Sequence, residues 1–461
     1  MDRGILAAMD RRALAALAGL AVAALAIRLV AFEALAPVGL LGDENYYVQV
    51  ADHLARGEGH LYVGAAEGPT RAWRPPLHPW LLSRALDAET PRQAEPSANV
   101  ALVTRLQRLQ IALGAALVVL TALLGRALFD ARTGWLAGGI AAVYPALVAH
   151  SHYLWTETLF ATLVMGALLG FVRLERRPHP GGVVATGLLL GAATLVREAG
   201  LVVAGVGALW WVLRAPRTAR RAAALRGALL VGIACLCVLP WTLRNQQVLG
   251  RFVPVSTVGW FALAEGNTLE RPDWLARRGP EQAAFHRGYF SRRDEAERLD
   301  FARGHALARI AAEQPAWLGK KLVRNLALLL NPDSVLRTKI RSGAYGDIPP
   351  AAARWLLAAS IPAWLALAAA ATLGLAAARG APATLSGLLL ASAALLHVFA
   401  NATPRFRVPW LPLLAILAAH ALLLGPRLPR HLTRSRALAA TSFLLFLLLV
   451  ALPYYTHQGP R

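Results

Sequence analysis

The sequence predicts an all-α polytopic membrane protein, and its composition, its long apolar runs and the placement of its arginines support that fold class. Of the 461 residues, 56% are hydrophobic and only 16% are charged, and the mean hydropathy is +0.46. Water-soluble globular proteins of this length rarely have such a composition. The two cysteines, Cys235 and Cys237, lie within one apolar run, which excludes a disulfide framework and a zinc ribbon.

Eleven apolar segments are long enough, or nearly so, to cross the hydrocarbon core of a bilayer. We place them at 13–33, 107–128, 134–151, 155–173, 182–197, 199–213, 227–243, 352–378, 382–400, 408–425 and 437–453. Arg197 and Glu198 interrupt the region 182–213, which could otherwise be one long segment. The first segment is followed by small residues at 34–36 that resemble a signal-peptidase site, but we expect a retained anchor helix.

The arginines lie mostly in short connections between these segments. The formal net charge is +22, which in a soluble chain would suggest a nucleic-acid partner. Here alternate connections carry the clusters, at 126–132, 173–177, 214–226 and 427–436. The positive-inside rule then places these connections and the N-terminus in the cytoplasm. We predict a multi-pass protein of the plasma (inner) membrane, without a nucleic-acid partner and with Asp43 on the periplasmic face.

Two long connections, 34–106 and 244–351, fall on the periplasmic side, where their length exempts them from the charge rule. The first has amphipathic helical spacing after Asp43 and then the stretch RPPLHPWLL, so we expect interfacial helices there. The second contains charged helical stretches and is expected to be mostly helical. The predicted units are a transmembrane half with the candidate site at 1–243, the periplasmic or interfacial segment 244–351, and C-terminal transmembrane helices at 352–461.

Three carboxylates at span ends need an explanation. The stretch GDENYY places Asp43 and Glu44 just after the first apolar run, and TETLF places Glu157 at the start of a later one. Each has an ordinary explanation, because aspartate caps helices and glutamate stabilises a first helical turn. However, two separate connections bring acids to one membrane surface, where ionisable groups are costly. We therefore predict that Asp43, Glu44 and Glu157 belong to a functional site, and the family resemblance described below implies that they are catalytic.

Arginines near the outer span ends supply the opposite charge: Arg28, Arg197, Arg244, Arg405 and Arg407. Ordinary explanations exist here too, such as a local ion pair between Arg197 and Glu198, or snorkelling and lipid head-group contacts for the others. Guanidinium groups also have a shape that suits phosphate. We predict that these five arginines bind the phosphate of a substrate that is both phosphorylated and hydrophobic.

Histidines near these acids raise the question of a metal. His152 lies close to Glu157, and His78 lies in RPPLHPWLL. A glutamate and a histidine can hold a divalent cation, but the spacing matches no metal motif. We therefore expect no definite cofactor and leave a divalent metal ion open, with Glu157, His152 and His78 as its candidate ligands.

The chain resembles the family-39-like membrane glycosyltransferases in a series of ordered motifs: GDENYY, RPPLHPWLL, TETLF, LVREAGL, LPWTLRNQQVLGRFVPVSTVGWFALAEGN and PRFRVPWLPLLAILA. This group includes the protein O-mannosyltransferases and the lipid A aminoarabinose transferase, and it belongs to the glycosyltransferase C superfamily. The resemblance extends over most of the chain, from about residue 28 to 425. It depends on the order and spacing of the motifs rather than on any one of them.

The resemblance implies an inverting transferase that moves a sugar from a polyprenyl-phosphate donor to a lipid, glycan or protein acceptor on the non-cytoplasmic face. It places the general base at Asp43 and further acids at Glu44 and Glu157. The family's late arginine maps onto Arg405, which Phe406 follows where tyrosine is common, so no tyrosine hydroxyl is expected at the phosphate. Further substrate contacts are expected from Tyr46, Arg74, His78, His152 and Asn267.

Two other classes of function stay open at this point. A transporter or flippase of an anionic lipid-linked sugar would also use arginines, but it predicts inverted repeats and charged sites at the bilayer midplane, and we find neither pattern in the sequence. A noncatalytic assembly or sensing protein would tolerate substitution of the outer-face residues. The sequence also contains no glycine-rich phosphate loop on a strand–turn–helix unit, which favours a lipid-linked over a nucleotide-linked donor.

Overall fold

The computed structural model describes residues 10–35, 39–40, 42–64, 68–86, 100–268, 280–332, 335–346 and 348–456. Its α-helices are α1 Arg11–Leu35, α2 Asp43–Ala55, α3 Leu77–Ser83, α4 Val100–Leu128, α5 Ala131–Val143, α6 Pro145–His150, α7 Glu157–Arg176, α8 Pro180–Val196, α9 Ala199–Arg214, α10 Arg220–Leu249, α11 Val258–Thr268, α12 Pro280–Phe290, α13 Glu295–Ala312, α14 Trp317–Leu330, α15 Val335–Arg341, α16 Pro350–Ala377, α17 Gly380–Phe399, α18 Leu411–Leu424, α19 Leu428–His431 and α20 Arg434–Thr456. A short antiparallel ladder pairs β1 Tyr62–Gly64 with β2 Gly68–Thr70. The predicted all-α class is confirmed for this part of the chain.

Within the described residues, eight helical stretches are long and apolar enough to span a bilayer: Arg11–Leu35, Val103–Leu128, Glu157–Arg176, Arg217–Leu249, Pro350–Ala377, Gly380–Phe399, Pro404–His431 and Arg434–Ala451. Each covers one of the predicted apolar runs, which confirms the multi-pass organisation. The runs predicted at 182–197 and 199–213 form α8 and α9, two shorter apolar helices of 17 and 16 residues. They are separate because Arg197 has an extended backbone that ends α8.

The span predicted at 134–151 is wrong as one continuous helix. Tyr144 has an extended backbone between α5 and α6, and Pro145 opens α6. A residue before proline is disfavoured in the helical conformation, because the proline ring clashes with its backbone. The helix therefore breaks at Tyr144, which leaves carbonyl groups at the end of α5 without helical partners.

Small residues let the helices of the first half pack closely. α4 packs against α5 and α7, and α10 packs against α8 and α9. A Cβ added at Gly134 would lie 2.5 Å from the carbonyl oxygen of Ala122, and one at Gly207 would lie 1.9 Å from the ring of Phe171. Close approach at small residues is a main source of helix association in lipid, where burial of apolar surface gives little driving force. This packing fixes the helix ends that carry the charged residues.

The described residues of the segment 244–351 are mostly helical, as predicted. α10 continues past residue 243 to Leu249, and α11 packs against α13 through apolar residues that include Phe285 and Tyr289. α14 is amphipathic, with Leu322 exposed and Asn325 buried. The division of the chain at 243 and 351 stays a prediction.

Candidate active site

Two carboxylates from distant parts of the chain share one guanidinium group. Arg405 donates from Nη1 to Asp43 Oδ2 at 2.7 Å and from Nε to Glu157 Oε1 at 2.5 Å. Its Nη2 also donates to Glu157 Oε2 at 3.3 Å. Asp43 opens α2, Glu157 opens α7, and Arg405 lies in the 3-10 helix Pro404–Trp410 before α18. The structure therefore brings these three residues together at one end of the helix bundle.

Each of the two carboxylates has a second guanidinium partner. Arg74 Nη2 donates to Asp43 Oδ1 at 2.5 Å, and Arg197 Nη1 donates to Glu157 Oε1 at 2.8 Å. Three guanidinium groups thus surround two carboxylates, which leaves one positive charge uncompensated within this group. Such a group attracts an anion, and planar guanidinium forks bind phosphate oxygens well. We call these five residues the carboxylate–arginine cluster.

Asp43 is ionised at neutral pH. Its side chain is 23% exposed, whereas the side chain of Glu157 is fully buried. Burial by itself raises the pKa of Asp43, but the charges of Arg74 and Arg405 outweigh it and hold that pKa below its ordinary value. The pKa of Arg74 is raised, because the nearby carboxylate of Asp43 more than offsets the effect of burial. The cluster is therefore charged rather than neutral.

Aromatic rings orient the guanidinium groups. The guanidinium carbon of Arg405 lies 3.9 Å from the ring centroid of Trp155, and that of Arg197 lies 5.5 Å from the ring centroid of Phe406. A guanidinium group is attracted to the face of an aromatic ring and stays planar there. Phe406 carries no hydroxyl, and its ring contacts an arginine instead.

The ordinary explanation for Asp43 as a helix cap does not describe its contacts. Gly42 precedes α2 with a positive φ of 55°, which favours glycine, and no side-chain capping bond is formed at this end. Asp43 is the first residue of the helix, and its carboxylate bonds across to Arg74 and Arg405. Glu157 likewise opens α7 after Thr156, and its carboxylate binds arginines from other elements. Both acids have tertiary partners that a simple cap would lack.

Glu44 forms a second, buried ion pair. Its carboxylate pairs with Lys339 of α15 and accepts a hydrogen bond from the backbone N–H of Leu154 at 3.0 Å. The ammonium group of Lys339 also lies over the rings of Tyr153 and Trp155, 4.4 and 4.8 Å from their centroids. Glu44 thus ties α2 and α15 to the connection that supplies Trp155 and Glu157. These contacts indicate that Glu44 positions the site.

Arg28 is a structural residue by its contacts. It is fully buried, and its Nε donates to Ser151 Oγ at 3.0 Å. Its two terminal nitrogens donate to the carbonyl oxygens of Ala142 and Ala141, each at 3.3 Å. Those carbonyls belong to the end of α5, where the helix breaks before Pro145. Arg28 therefore satisfies backbone groups that the break leaves open, and it does not join the carboxylate–arginine cluster.

The remaining predicted arginines contact backbone carbonyls as well. Arg407 donates to the carbonyl oxygen of Pro332 at 2.6 Å and lies 3.8 Å from the ring centroid of Trp364. Arg244 donates to the carbonyl oxygen of Arg71 at 2.6 Å. Of the five arginines predicted to bind phosphate, the structure places Arg197 and Arg405 in the cluster and holds Arg28, Arg244 and Arg407 outside it.

The two predicted histidines are committed to backbone groups. His78 Nε2 donates to the carbonyl oxygen of Leu154 at 3.3 Å, and His152 Nε2 donates to that of Arg28 at 2.9 Å. Burial lowers the pKa of each imidazole to about 4, so both are neutral at pH 7. Among the residues that the structure describes, no group of three His, Cys, Asp or Glu side chains is placed to hold a metal ion. His78, His152 and Glu157 therefore do not form one ligand set.

The other predicted substrate contacts fall into two groups. Arg74 is part of the cluster, and the hydroxyl of Tyr46 accepts from its backbone N–H at 3.3 Å. Asn267 lies elsewhere: its Oδ1 accepts from Trp317 Nε1 at 2.8 Å and joins α11 to α14. Tyr46 thus supports an arginine of the cluster, whereas Asn267 contributes to the packing of α11 against α14.

Sequence reasoning missed residues that the structure places beside the cluster. Thr156 Oγ1 accepts from Arg197 at 2.9 Å, and Trp155 lies against Arg405. Both directly precede Glu157, so their adjacency in the motif WTETLF was an available signal. Lys339 lies 295 residues from its partner Glu44, and nothing in the local sequence distinguishes it from other basic residues of that segment.

An apolar groove of about 560 Å³ opens beside the cluster, between α14, α16, α17, α18 and α20. Its lining includes Leu329, Trp364, Leu375, Leu390, Phe406 and Phe443. Phe406 connects the groove to the cluster, because Arg197 lies over its ring and His397 stacks on it at 4.7 Å. Four of the five helices that enclose the groove are candidate spans, so the groove lies at the depth of the membrane.

Comparison with known proteins agrees with the predicted resemblance. A family model described as dolichyl-phosphate-mannose-protein mannosyltransferase matches residues 89–253, less than half of the chain. Over this segment the chain is similar to a protein mannosyltransferase. The match includes Glu157, Arg197 and Arg244, and it confirms the resemblance inferred from the ordered motifs. A search of curated proteins finds no match.

Solved structures of an archaeal oligosaccharyltransferase share the fold. The apo form from Archaeoglobus fulgidus is 17% identical, and the alignment covers 95% of this chain and 54% of that chain with a TM-score of 0.54. Its complex with an inhibitory peptide and a dolichol-phosphate gives 15% identity, coverage of 95% and 54%, and a TM-score of 0.50. Its complex with Zn and sulfate gives 16% identity, coverage of 94% and 52%, and a TM-score of 0.51. This chain spans about half the length of these structures, and at such identities the likeness shows the fold alone.

Proposed function

We propose that this protein is an inverting glycosyltransferase that takes a sugar from a polyprenyl-phosphate donor. The transfer takes place on the periplasmic face of the inner membrane, and the acceptor is a lipid, glycan or protein. The observation that carries the proposal is Arg405, which binds Asp43 and Glu157 together within a cluster that has one uncompensated positive charge. The family match to mannosyltransferases that use dolichyl-phosphate-mannose supports the same reaction class.

The donor phosphate binds at Arg405 and Arg197. These two guanidinium groups belong to the cluster with excess positive charge, and a phosphate would supply the missing negative charge. The polyprenyl tail lies in the apolar groove, which reaches the cluster at Phe406. A groove at membrane depth beside a charged cluster fits a molecule with a long apolar tail and an anionic head. A protein of the same fold has been solved in complex with an inhibitory peptide and a dolichol-phosphate, so a lipid phosphate is a ligand of this fold in that protein.

Asp43 is the general base of the reaction. The acceptor hydroxyl oxygen attacks the anomeric carbon and forms the new glycosidic bond, and its proton passes to the Asp43 carboxylate. The bond between the anomeric carbon and the phosphate oxygen breaks, and its electron pair leaves with the polyprenyl phosphate. A positioned carboxylate contributes a factor of roughly 10²–10⁴ to such a step. Arg405 and Arg197 stabilise the charge that develops on the departing phosphate.

The shared arginine links donor binding to the strength of the base. Without a donor, Arg405 and Arg74 hold the pKa of Asp43 below its ordinary value, which makes this carboxylate a weak base. A donor phosphate competes for Arg405 and weakens its bond to Asp43 Oδ2. The pKa of Asp43 then rises, because one of its two cationic partners turns to the phosphate. The base becomes effective when the donor is in place.

A divalent metal ion does not fit these residues as they stand. Both oxygens of Asp43 and both oxygens of Glu157 accept hydrogen bonds from guanidinium groups, and the two predicted histidines bond to backbone carbonyls. We therefore assign no step of the reaction to a metal. Because a protein of the same fold was solved with Zn and sulfate, transfer should be measured both with Zn²⁺ and with EDTA.

Reconstitution tests the proposal against the transporter alternative. Purified protein in vesicles is supplied with undecaprenyl-phosphate-mannose and an extract of inner-membrane lipids and proteins as acceptors. The proposal expects release of undecaprenyl phosphate and a mass increase of one hexose on an acceptor. A panel of sugar-bearing polyprenyl phosphates is tested in the same way. If the lipid crosses the bilayer with its sugar still attached, and no member of the panel gives transfer, the protein is a flippase and the transferase proposal is refuted. Protein-free vesicles are the control.

A further inference from the structure

Glu198 is a charged residue beside the cluster to which the reaction described above assigns no role. It follows Arg197 at the turn between α8 and α9, and its side chain is exposed to solvent. Asp43 and Glu157 each use both carboxylate oxygens to bind arginines. The exposed carboxylate of Glu198 therefore differs from the other two acids in being open to a ligand.

One oxygen of Glu198 is fixed by the protein. Ser256 Oγ donates to Glu198 Oε1 at 2.5 Å. The segment around Ser256 is itself held in place, because Asn245 Nδ2 donates to the carbonyl oxygens of Val253 and Val255 at 3.1 and 3.2 Å. The backbone N–H of Ser256 also bonds to this carboxylate. These bonds orient the Glu198 side chain, and because one carboxylate oxygen can accept more than one hydrogen bond, Oε2 can still accept from a ligand.

The absence of a side chain at Gly259 keeps space beside the second oxygen. A Cβ at Gly259 would stand 3.2 Å from Glu198 Oε2, which is closer than an ordinary contact. Gly259 lies in the first turn of α11, so the start of this helix lies close to the carboxylate. The side chain of Glu198 is exposed, yet protein atoms surround it closely enough that desolvation raises its pKa. The carboxylate of Glu198 is therefore closely surrounded by protein and still accessible to a ligand.

Two neighbouring segments place Glu198 beside the cluster: it directly follows Arg197, and its partner Ser256 precedes Thr257, whose N–H donates to the carbonyl oxygen of Ala72 at 2.9 Å, two residues before Arg74. Arg197 and Arg74 both act electrostatically on Glu198 and partly offset the effect of desolvation on its pKa. Arg197 lies on the phosphate side of the proposed reaction, and Arg74 binds the proposed base Asp43. The transferred sugar must lie between the phosphate and the base, because the bond that breaks and the bond that forms share its anomeric carbon. Glu198 is thus placed beside the sugar ring.

A local ion pair with Arg197 does not account for Glu198. The described partners of Arg197 are Thr156 Oγ1, Glu157 Oε1 and the ring of Phe406. The side chain of Arg197 thus points to α7 and the 3-10 helix, while that of Glu198 points to the segment before α11. Adjacent residues diverge here because α8 ends in an extended conformation at Arg197.

We propose that Glu198 binds the sugar of the lipid-linked donor, with Oε2 accepting hydrogen bonds from ring hydroxyl groups while Ser256 holds Oε1. The inference rests on the proposed glycosyltransferase function and adds the residue that recognises the transferred group. Glu198 is therefore a specificity-determining residue, whereas Arg405 and Arg197 recognise the phosphate that all such donors share.

The test compares lipids with and without a sugar. Binding of undecaprenyl phosphate and of its mannose, glucose and 4-amino-4-deoxyarabinose derivatives is measured on protein in nanodiscs. The wild type should bind at least one derivative more tightly than the sugar-free lipid. In Glu198→Ala the ratio of the affinity for the sugar-bearing lipid to that for the sugar-free lipid should fall by about 10- to 100-fold, because hydrogen bonds to a charged group are lost. Binding of the sugar-free lipid should change by less than about 2-fold.

Two further variants make the result specific. Glu198→Gln keeps the shape of the side chain but removes its charge, and it should lose part of the extra affinity that the sugar gives to the lipid. Glu297→Ala removes an exposed glutamate of α13 and should change neither affinity. The inference is overturned if Glu198→Ala keeps the full gain, or if it loses affinity for sugar-free and sugar-bearing lipids alike. A wild-type protein that does not bind undecaprenyl phosphate at all would instead refute the proposed function itself.

Discussion

Replacement of Asp43 by asparagine separates the role of a base from the role of a scaffold. The amide of asparagine keeps an oxygen that can accept a hydrogen bond from Arg74 or Arg405, but it cannot take a proton from the acceptor hydroxyl. We expect the transfer rate to fall by about 10²–10⁴. This loss corresponds to about 3–5 kcal/mol in the activation free energy.

The same variant should bind the donor lipid at least as well as the wild type. Asp43 competes with the phosphate for Arg405, and its removal raises the excess charge of the cluster by one unit. The ion pair that is lost is partly exposed, with Asp43 at 23% and Arg405 at 16% of their side-chain surfaces. The competition is worth about 1 kcal/mol or less, so undecaprenyl phosphate should bind up to about 5-fold more tightly.

Rate and affinity are measured together on protein in nanodiscs, by mass spectrometry of the product and by binding of undecaprenyl phosphate. Asp300→Asn is the matched control, because it also removes a carboxylate that pairs with an arginine, here Arg251 at 3.2 Å on the exposed surface. The control should change neither quantity. Transfer at the wild-type rate in Asp43→Asn would refute the assignment of the base. A parallel loss of rate and lipid affinity would show that Asp43 holds the site together instead.

Four further predictions address the phosphate, the base, the groove and the buried ion pair. Arg405→Ala should weaken undecaprenyl phosphate binding by about 10- to 100-fold, with little change in the KM of the acceptor; unchanged donor dependence would argue against phosphate contact. The folded-state pKa of Asp43 is depressed, so its contribution to stability is present above its unfolded pKa of about 3.9 and is lost as pH falls through the folded value. Transfer needs the ionised carboxylate of Asp43, so kcat/KM should fall on the acid side only below about pH 4. A fall in kcat/KM near neutral pH would contradict the assignment of Asp43 as the base. Gly387→Leu should partly fill the groove, because open space surrounds the Cβ position of Gly387. The variant should weaken binding of undecaprenyl phosphate more than binding of the shorter farnesyl phosphate. An equal loss of affinity for both lipids would show that the tail lies elsewhere. Glu44→Gln leaves the buried ammonium group of Lys339 without its carboxylate partner and should lower the free energy of unfolding by about 3–5 kcal/mol. Loss of transfer at an unchanged melting temperature would contradict this positioning role and indicate that Glu44 takes part in the chemistry directly.

The membrane spans could be predicted from the sequence because the signal is local. A run of about 20 apolar residues crosses the bilayer whatever its neighbours are, since lipid excludes unpaired backbone groups and favours helix. The break at Tyr144 and Pro145 was also available from local chemistry, and the prediction of one continuous span overlooked it. The resemblance in the ordered motifs likewise pointed to Asp43, Glu157 and Arg405.

The roles of the arginines could not be separated in the same way. Arg28, Arg405 and Arg407 all lie near span ends, and the sequence alone gives no feature that separates a phosphate-binding arginine from a structural one. The structure distinguishes them by their partners: Arg405 binds two carboxylates, while Arg28 and Arg407 bind backbone carbonyls at helix ends. A guanidinium group serves either purpose equally well, so only the position of the acceptor decides which one it serves.

The sequence by itself determined that this chain is a helical membrane protein with acids and arginines gathered on one face, because hydrophobicity, charge and turn chemistry act over a few neighbouring residues. The tertiary structure decided that Asp43 and Glu157 share Arg405, that Glu44 pairs with Lys339, and that Glu198 binds Ser256. The physical reason is that electrostatic partners are selected by distance in space. Helix packing brings together side chains that are hundreds of residues apart along the chain.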